Sequence, residues 1–184
     1  MLLTPARSQL IVIDIQERLL PAIAEAERVV KNTNILLTGA DRLGIPVTVT
    51  EQYPKGLGAT VASLSKALSA DAMVLPKMTF SAAADAGIAK RVGNLRNSGL
   101  DQIVLCGTEA HVCVLQSALA FKAAGADVFV VGDAVSSRSP HSVAAAEARL
   151  VQAGCRWITT EMAIFEWLEQ AGTDDFKALS ALIK

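Results

Sequence analysis

The chain has 184 residues, enough for one domain with a sizeable core, and 52% of them are hydrophobic. Its net charge is −1 and its basic residues are scattered, which argues against a nucleic-acid surface. A mean hydropathy of +0.39 points to apolar surface hidden between subunits, so a homo-oligomer of two or more copies is expected.

No apolar run approaches the ~20 residues of a membrane helix, so no membrane partner is expected. Residues 1–10 lack a basic-then-apolar signal layout. Three cysteines without paired spacing argue against a disulfide framework, and a reducing cytoplasm is the expected compartment.

Short β-branched runs alternate with longer Ala-rich stretches. Residues 10–13 read as a buried strand stopped by Asp14, and residues 17–43 as mostly helical, entered near Pro21 and ended by Gly44. A second strand covers 46–50. The least regular stretch follows at 51–59, where Tyr53-Pro54-Lys55-Gly56 makes a turn in a candidate site loop. Residues 73–77 and 102–106 are the third and fourth strands. Residues 110–124 are helical and closed by Gly125. A fifth strand at 127–131, a helix at 142–153 and a short sixth strand at 156–159 come next, then two helices parted near Gly172. Continuous apolar strands joined by helices predict an α/β fold: a doubly wound, mainly parallel six-stranded sheet covered on both faces, Rossmann-like, with residues 1–184 as a single domain.

In such a sheet the active site lies beyond the carboxyl ends of the strands. Asp14 ends the first strand, Lys77 ends the third, and Cys113 follows the fourth, just past Gly107-Thr108-Glu109-Ala110. Each has a plain structural explanation by itself, since strand-end charges meet water and a helix cysteine is usually a small core hydrophobe. Their common placement points to chemistry. A helix start and a nearby lysine are expected to lower the Cys113 thiol pKa, and Asp14 can take the thiol proton and pass it to a leaving amine. A lysine between carboxylate and thiolate offsets their repulsion and holds both ionised. The backbone amides of Glu109 and Cys113 are the natural oxyanion donors.

At these residues the sequence resembles the isochorismatase-like cysteine hydrolase superfamily, over residues 10–167. The motifs are Val12-Ile13-Asp14-Ile15-Gln16, Pro76-Lys77-Met78-Thr79-Phe80-Ser81 and Cys106-Gly107-Thr108-Glu109-Ala110-His111-Val112-Cys113-Val114. The resemblance implies that Asp14 is the general base and acid, Lys77 its charged partner and Cys113 the nucleophile. It also implies a cis peptide between Thr108 and Glu109. Residues 51–58 most resemble the isochorismatase domain-containing proteins and the YcaC-type hydrolases. Two activities within the superfamily are disfavoured. Its nicotinamidases carry a histidine-rich metal site after the second strand, whereas residues 48–77 contain no histidine, so no metal is expected. Isochorismatases proper lack the nucleophilic cysteine.

The expected activity is hydrolysis of a small amide-type substrate through a Cys113 thioester, without a cofactor. Gln16, Tyr53 and Phe80 are candidate substrate-binding residues, and His111 reads as a helix-start residue pointing away from the thiol. Cys106 and Cys155 read as inert core. The alternative is a thiol-based redox-sensing or small-molecule-binding oligomeric protein without turnover. Asp14-Ile15-Gln16-Glu17-Arg18 has no glycine-rich phosphate cradle, which disfavours dinucleotides.

Overall fold

A computed structural model of the chain describes residues 1–183. Six strands form one wholly parallel sheet: β1 (Ser8–Ile13), β2 (Val47–Gln52), β3 (Met73–Lys77), β4 (Gln102–Thr108), β5 (Asp127–Ser136) and β6 (Arg156–Ile158). Their order across the sheet is β3-β2-β1-β4-β5-β6. The helices are α1 (Ala26–Arg42), α2 (Pro54–Leu57), α3 (Ala62–Ser65), α4 (Ala86–Asn97), α5 (Leu115–Ala123), α6 (Pro140–Gln152), α7 (Thr160–Leu168) and α8 (Asp174–Ser180). Among the described residues no helix is long and apolar enough to cross a membrane.

The central strands bury both faces, which is why they read as unbroken apolar runs. Leu10 and Val12 of β1 join a cluster with Leu36 of α1 and Ile164 and Trp167 of α7. Ile11 and Ile13 point the other way, into a cluster with Ile88 of α4, Ala118 of α5 and Leu150 of α6. Each such fully buried side chain contributes ~1.5–3 kcal/mol relative to exposure.

Three elements differ most from the sequence reading. The helix expected over 17–43 begins only at Ala26, because the amides of Glu17 and Arg18 donate to the carbonyls of Ala59 and Leu57 at 3.0 Å each. That segment is a strap across the site loop, and Gln16 forms an antiparallel bridge with Thr60. Strand β5 continues past Val131 to Ser136, with a register shift against β4 between Leu105 and Gly107; Gly132 and Asp133 break its apolar pattern and hide the continuation. Helix α4 had no strong periodicity to announce it. It buries only Ile88 and Val92, and is started by the Asp85 carboxylate, which accepts from the amides of Gly87 and Ile88.

The chain winds outward from β1 in both directions, so the switch point lies between β1 and β4. There β4 crowds the end of β1. Gly107 has φ +116°, and a Cβ on it would stand 2.0 Å from the Ile13 carbonyl oxygen. Only glycine fits that approach. Gly107→Ala should therefore lower unfolding stability by ~2–4 kcal/mol through backbone strain and a forced shift of Ile13, measured by urea denaturation; a loss under ~1 kcal/mol would refute it.

Candidate active site

Asp14 is the first residue past β1, with φ +50°. Its amide donates to the Thr50 carbonyl at 3.1 Å, and its own carbonyl accepts from Thr108 Oγ1 at 2.7 Å. The backbone is thus held by both neighbouring strands. The carboxylate accepts from Thr50 Oγ1 at 2.6 Å on Oδ1 and from Lys77 Nζ at 2.7 Å on Oδ2. Lys77 ends β3, two strands away, and its stem crosses the end of β2 to reach Asp14.

Both side chains of this ion pair are 0% exposed. Lys77 Nζ also donates to Gln52 Oε1 at 2.7 Å and lies 3.3 Å from the carbonyls of Thr79 and Phe80. The Gln52 carboxamide is completed by Nε2 donating to the Met78 carbonyl at 2.9 Å. Beneath it, Gln16 clamps the loop: its Oε1 accepts from the Gln52 amide, and its Nε2 donates to the carbonyls of Gln52 and Gly58.

Cys113 lies on a single π-helical turn, Ala110–Val114, that runs into α5. The Glu109 carbonyl closes this turn by accepting from the amides of Val112 at 3.1 Å and Val114 at 3.2 Å. Cys113 is only 6% exposed, and the charges of both Asp14 and Lys77 act on its thiol. Burial, followed by the negative charge of Asp14, pushes the thiol up to about 12, and Lys77 only partly opposes them. This corrects the expectation of a lowered value. The lysine neutralises the carboxylate at close range, and the desolvated thiol stays protonated in the free protein.

The bond between Thr108 and Glu109 is cis, as the resemblance implied. The Glu109 carboxylate is nearly buried, and one of its oxygens accepts from the Arg138 amide at 3.1 Å and Arg138 Nε at 3.0 Å. His111 Nδ1 is 2.9 Å from Ser137 Oγ, a contact directed toward the end of β5.

Asp14, Lys77 and Cys113, chosen from three separate strand ends, therefore meet. Glu109 flanks them. Tyr53 and Phe80 are exposed on the neighbouring loops, with Met78 beside Phe80. Gln16 differs: it is fully buried and its carboxamide is committed to backbone, so it lies under the site rather than open to it. Thr50 and Gln52 were not singled out from the sequence, and Arg138 only as one of residues 136–139, a segment that reads equally as the site's rim or as a helix-entry turn. Gln52 had a usable signal, since it is a polar residue ending β2 beside Lys77, but the strand was ended two residues too early. Among the described residues no group of three or more His, Cys, Asp or Glu side chains is arranged to hold a metal ion.

Residues 8–162 match the family model described as the isochorismatase domain. The chain belongs to the isochorismatase family. It is 38% identical to the secreted isochorismatase effector Isc1 of Phytophthora sojae, over 99% of this chain and 87% of that protein. Among solved structures it superposes on the MAR1 ribonuclease of Caenorhabditis elegans with a TM-score of 0.92 and 34% identity, covering 100% and 92% of the two chains. It shares the fold of the Escherichia coli YcaC product, described as an octameric hydrolase of unknown specificity, with a TM-score of 0.91 and 23% identity over 99% and 90%. Membership in the isochorismatase family makes the chain an isochorismatase-like hydrolase.

Two predictions follow from the buried cluster. Lys77→Met leaves the Asp14 carboxylate buried without its cation and should destabilise by ~3–5 kcal/mol in denaturant titration; adding Asp14→Asn should recover a large part. If the double variant were less stable than the single one, the pair would not be the source of the loss. Second, iodoacetamide alkylation of Cys113 should accelerate roughly tenfold per pH unit without levelling off below about pH 9, because the thiolate fraction keeps rising under a raised pKa. A plateau at neutral pH would indicate a preformed thiolate.

Proposed function

We propose that this isochorismatase-family hydrolase cleaves a small amide-type C–N bond through a thioester on Cys113. The observation that carries this reading is the placement of buried Cys113 beside the Asp14 carboxylate, whose hydrogen-bond partners are a lysine and a threonine hydroxyl.

The chemistry balances within the chain. When a substrate carbonyl reaches Cys113, Asp14 accepts the thiol proton as the Sγ–C bond forms, and the amides of Glu109 and Cys113 receive the oxyanion. The proton then passes from Asp14 to the departing nitrogen as the C–N bond breaks. Water attacks the thioester, giving its proton to Asp14. That proton returns to sulfur as the acid leaves. Lys77 holds the Asp14 carboxylate in place through the ion pair and is itself fixed, because four acceptors surround its ammonium. The exposed rim residues Tyr53 and Phe80 are candidates to contact the apolar part of a substrate.

The name of the Caenorhabditis elegans neighbour raises RNA as a substrate. A phosphodiester needs cationic groups free to meet its oxygens. Lys77, the ammonium beside the thiol, is committed to Asp14, Gln52 and two carbonyls, which favours a neutral carbonyl substrate. A redox-sensing role fits less well too, because oxidation follows thiolate character and exposure, and Cys113 has neither. Assembly of copies accords with exposed Met73 and Val74 on the edge strand β3, with exposed Tyr53, Met78 and Phe80 on the loops after β2 and β3, and with the octamer described for YcaC.

Small amides should be screened for ammonia or amine release with wild type and Cys113→Ala side by side. The variant should lose at least ~10³-fold in turnover, and acid-quenched wild type should carry the acyl mass on Cys113. Turnover in Cys113→Ala close to wild type would overturn the mechanism. Release of nucleotides from RNA that depends on Cys113, without amide cleavage, would overturn the substrate class.

A further inference from the structure

We infer that Glu109 and Arg138 act as a positioning pair for the oxyanion donor, fixing the Glu109 amide and neutralising the carboxylate carried by the same residue. This rests on the proposed role of the Glu109 and Cys113 amides in acyl transfer.

The hydrogen bonds of Glu109 point to this role. Its carbonyl closes the π-helical turn through Val112 and Val114. Its carboxylate is tied to Arg138 by two bonds, both to the same oxygen, Oε2. Residue 109 is thereby held at both its carbonyl and its side chain, and its remaining polar group is the amide N–H. An oxyanion donor acts only when its direction is set before the charge develops. Anchors on either side of the amide supply that direction.

Charge is the second part. A glutamate carboxylate oxygen can stand no more than ~6 Å from its own backbone nitrogen, so a bare one would oppose negative charge forming at that amide. The Glu109 side chain is only 10% exposed, and water screens it poorly. The Arg138 guanidinium, bonded to it at 3.0 Å, cancels the charge. Arg138 itself is 64% exposed, so a solvated surface cation would explain its position equally well if it stood alone. Its backbone amide bonding to the same carboxylate oxygen as its side chain sets it apart from a passing surface contact.

The pair is tested with two reagents that attack the same sulfur. p-Nitrophenyl acetate acylates Cys113: the Sγ–C bond forms, the ester C–O bond breaks, p-nitrophenolate leaves and the thiol proton goes to Asp14. An oxyanion develops on the way. Iodoacetamide alkylates the same thiol by displacing iodide from a saturated carbon and develops none. Glu109→Ala should slow acylation about tenfold or more while alkylation stays within about twofold, a smaller loss than deleting a donor outright. Glu109→Gln, whose amide oxygen still accepts from both Arg138 donors, should return to within about threefold of wild type. Arg138→Ala should slow acylation by a similar factor to Glu109→Ala. Combining it with Glu109→Gln should then restore part of the rate, because no uncompensated charge remains.

Wild-type acylation rates in both Glu109→Ala and Arg138→Ala would overturn the inference, as would equal slowing of both reagents, the mark of a general structural effect. Should Glu109→Ala fail to fold by circular dichroism, the Glu109→Gln and Arg138→Ala series decides alone: supported if the double variant acylates faster than Arg138→Ala, overturned if it does not. A wild-type protein that is alkylated but never acylated at Cys113 would remove the acyl-transfer reading itself, an outcome distinct from a failed pair.

Discussion

The architecture of the site depends on a buried ion pair, Lys77 Nζ to Asp14 Oδ2 at 2.7 Å, with neither side chain exposed. Taking two such charges out of water costs several kcal/mol per ion even after relaxation. The pair persists because the surroundings complete it: Thr50 on one carboxylate oxygen, Gln52 and two backbone carbonyls around the ammonium. Those partners come from register. Ile13 pairs with Thr50, placing the threonine beside the residue that follows β1, and Gln52 pairs with Lys77. A slip of one residue in either ladder would turn these side chains to the opposite face. Sheet pairing and site assembly are therefore one requirement.

The thiol takes its character from that pair. A cysteine beside a lysine alone would be drawn toward thiolate, and one beside a carboxylate alone would resist ionisation. Cys113 meets both, so their effects partly cancel and burial decides, which raises its value. The free protein then holds a protonated thiol beside the Asp14 carboxylate. In the proposed reaction, ionisation is coupled to attack on a carbonyl, where the charge leaves sulfur for the oxyanion amides. Such coupling also spares the cysteine from adventitious oxidants, which react with thiolate.

Much of this was legible in the sequence, and what was not has physical reasons. Strands β1 and β3 could be read because continuous apolar runs end abruptly in charge at Asp14 and Lys77. The nucleophile turn could be read because its motif resembles a family. The strap at 17–25 could not, since its partners, Leu57 and Ala59, are distant in sequence and helix periodicity alone does not exclude it. The contacts of Gln52 and Arg138 escaped for a similar reason: what they touch, Lys77 and Glu109, does not follow from spacing. The direction of the thiol shift was misjudged because a sequence reveals neighbouring charges more readily than burial.

The topological switch point explains how the two halves of the site cooperate. Strands β1 to β3 supply one half, Asp14 bonded to Lys77 and Thr50, with Gln52 on the lysine. Strands β4 and β5 supply the other half, the turn bearing Glu109 and Cys113 and the segment ending at Arg138. The halves meet where β1 lies against β4, through the close approach at Gly107 and the bond from Thr108 Oγ1 to the Asp14 carbonyl. Because both contacts are to the backbone of residues 13 and 14, the sheet itself holds the end of β1 against the turn that carries Cys113. In the proposed reaction the exposed rim at Tyr53, Met78 and Phe80 is then free to vary with substrate while Asp14, Lys77 and Cys113 keep their places.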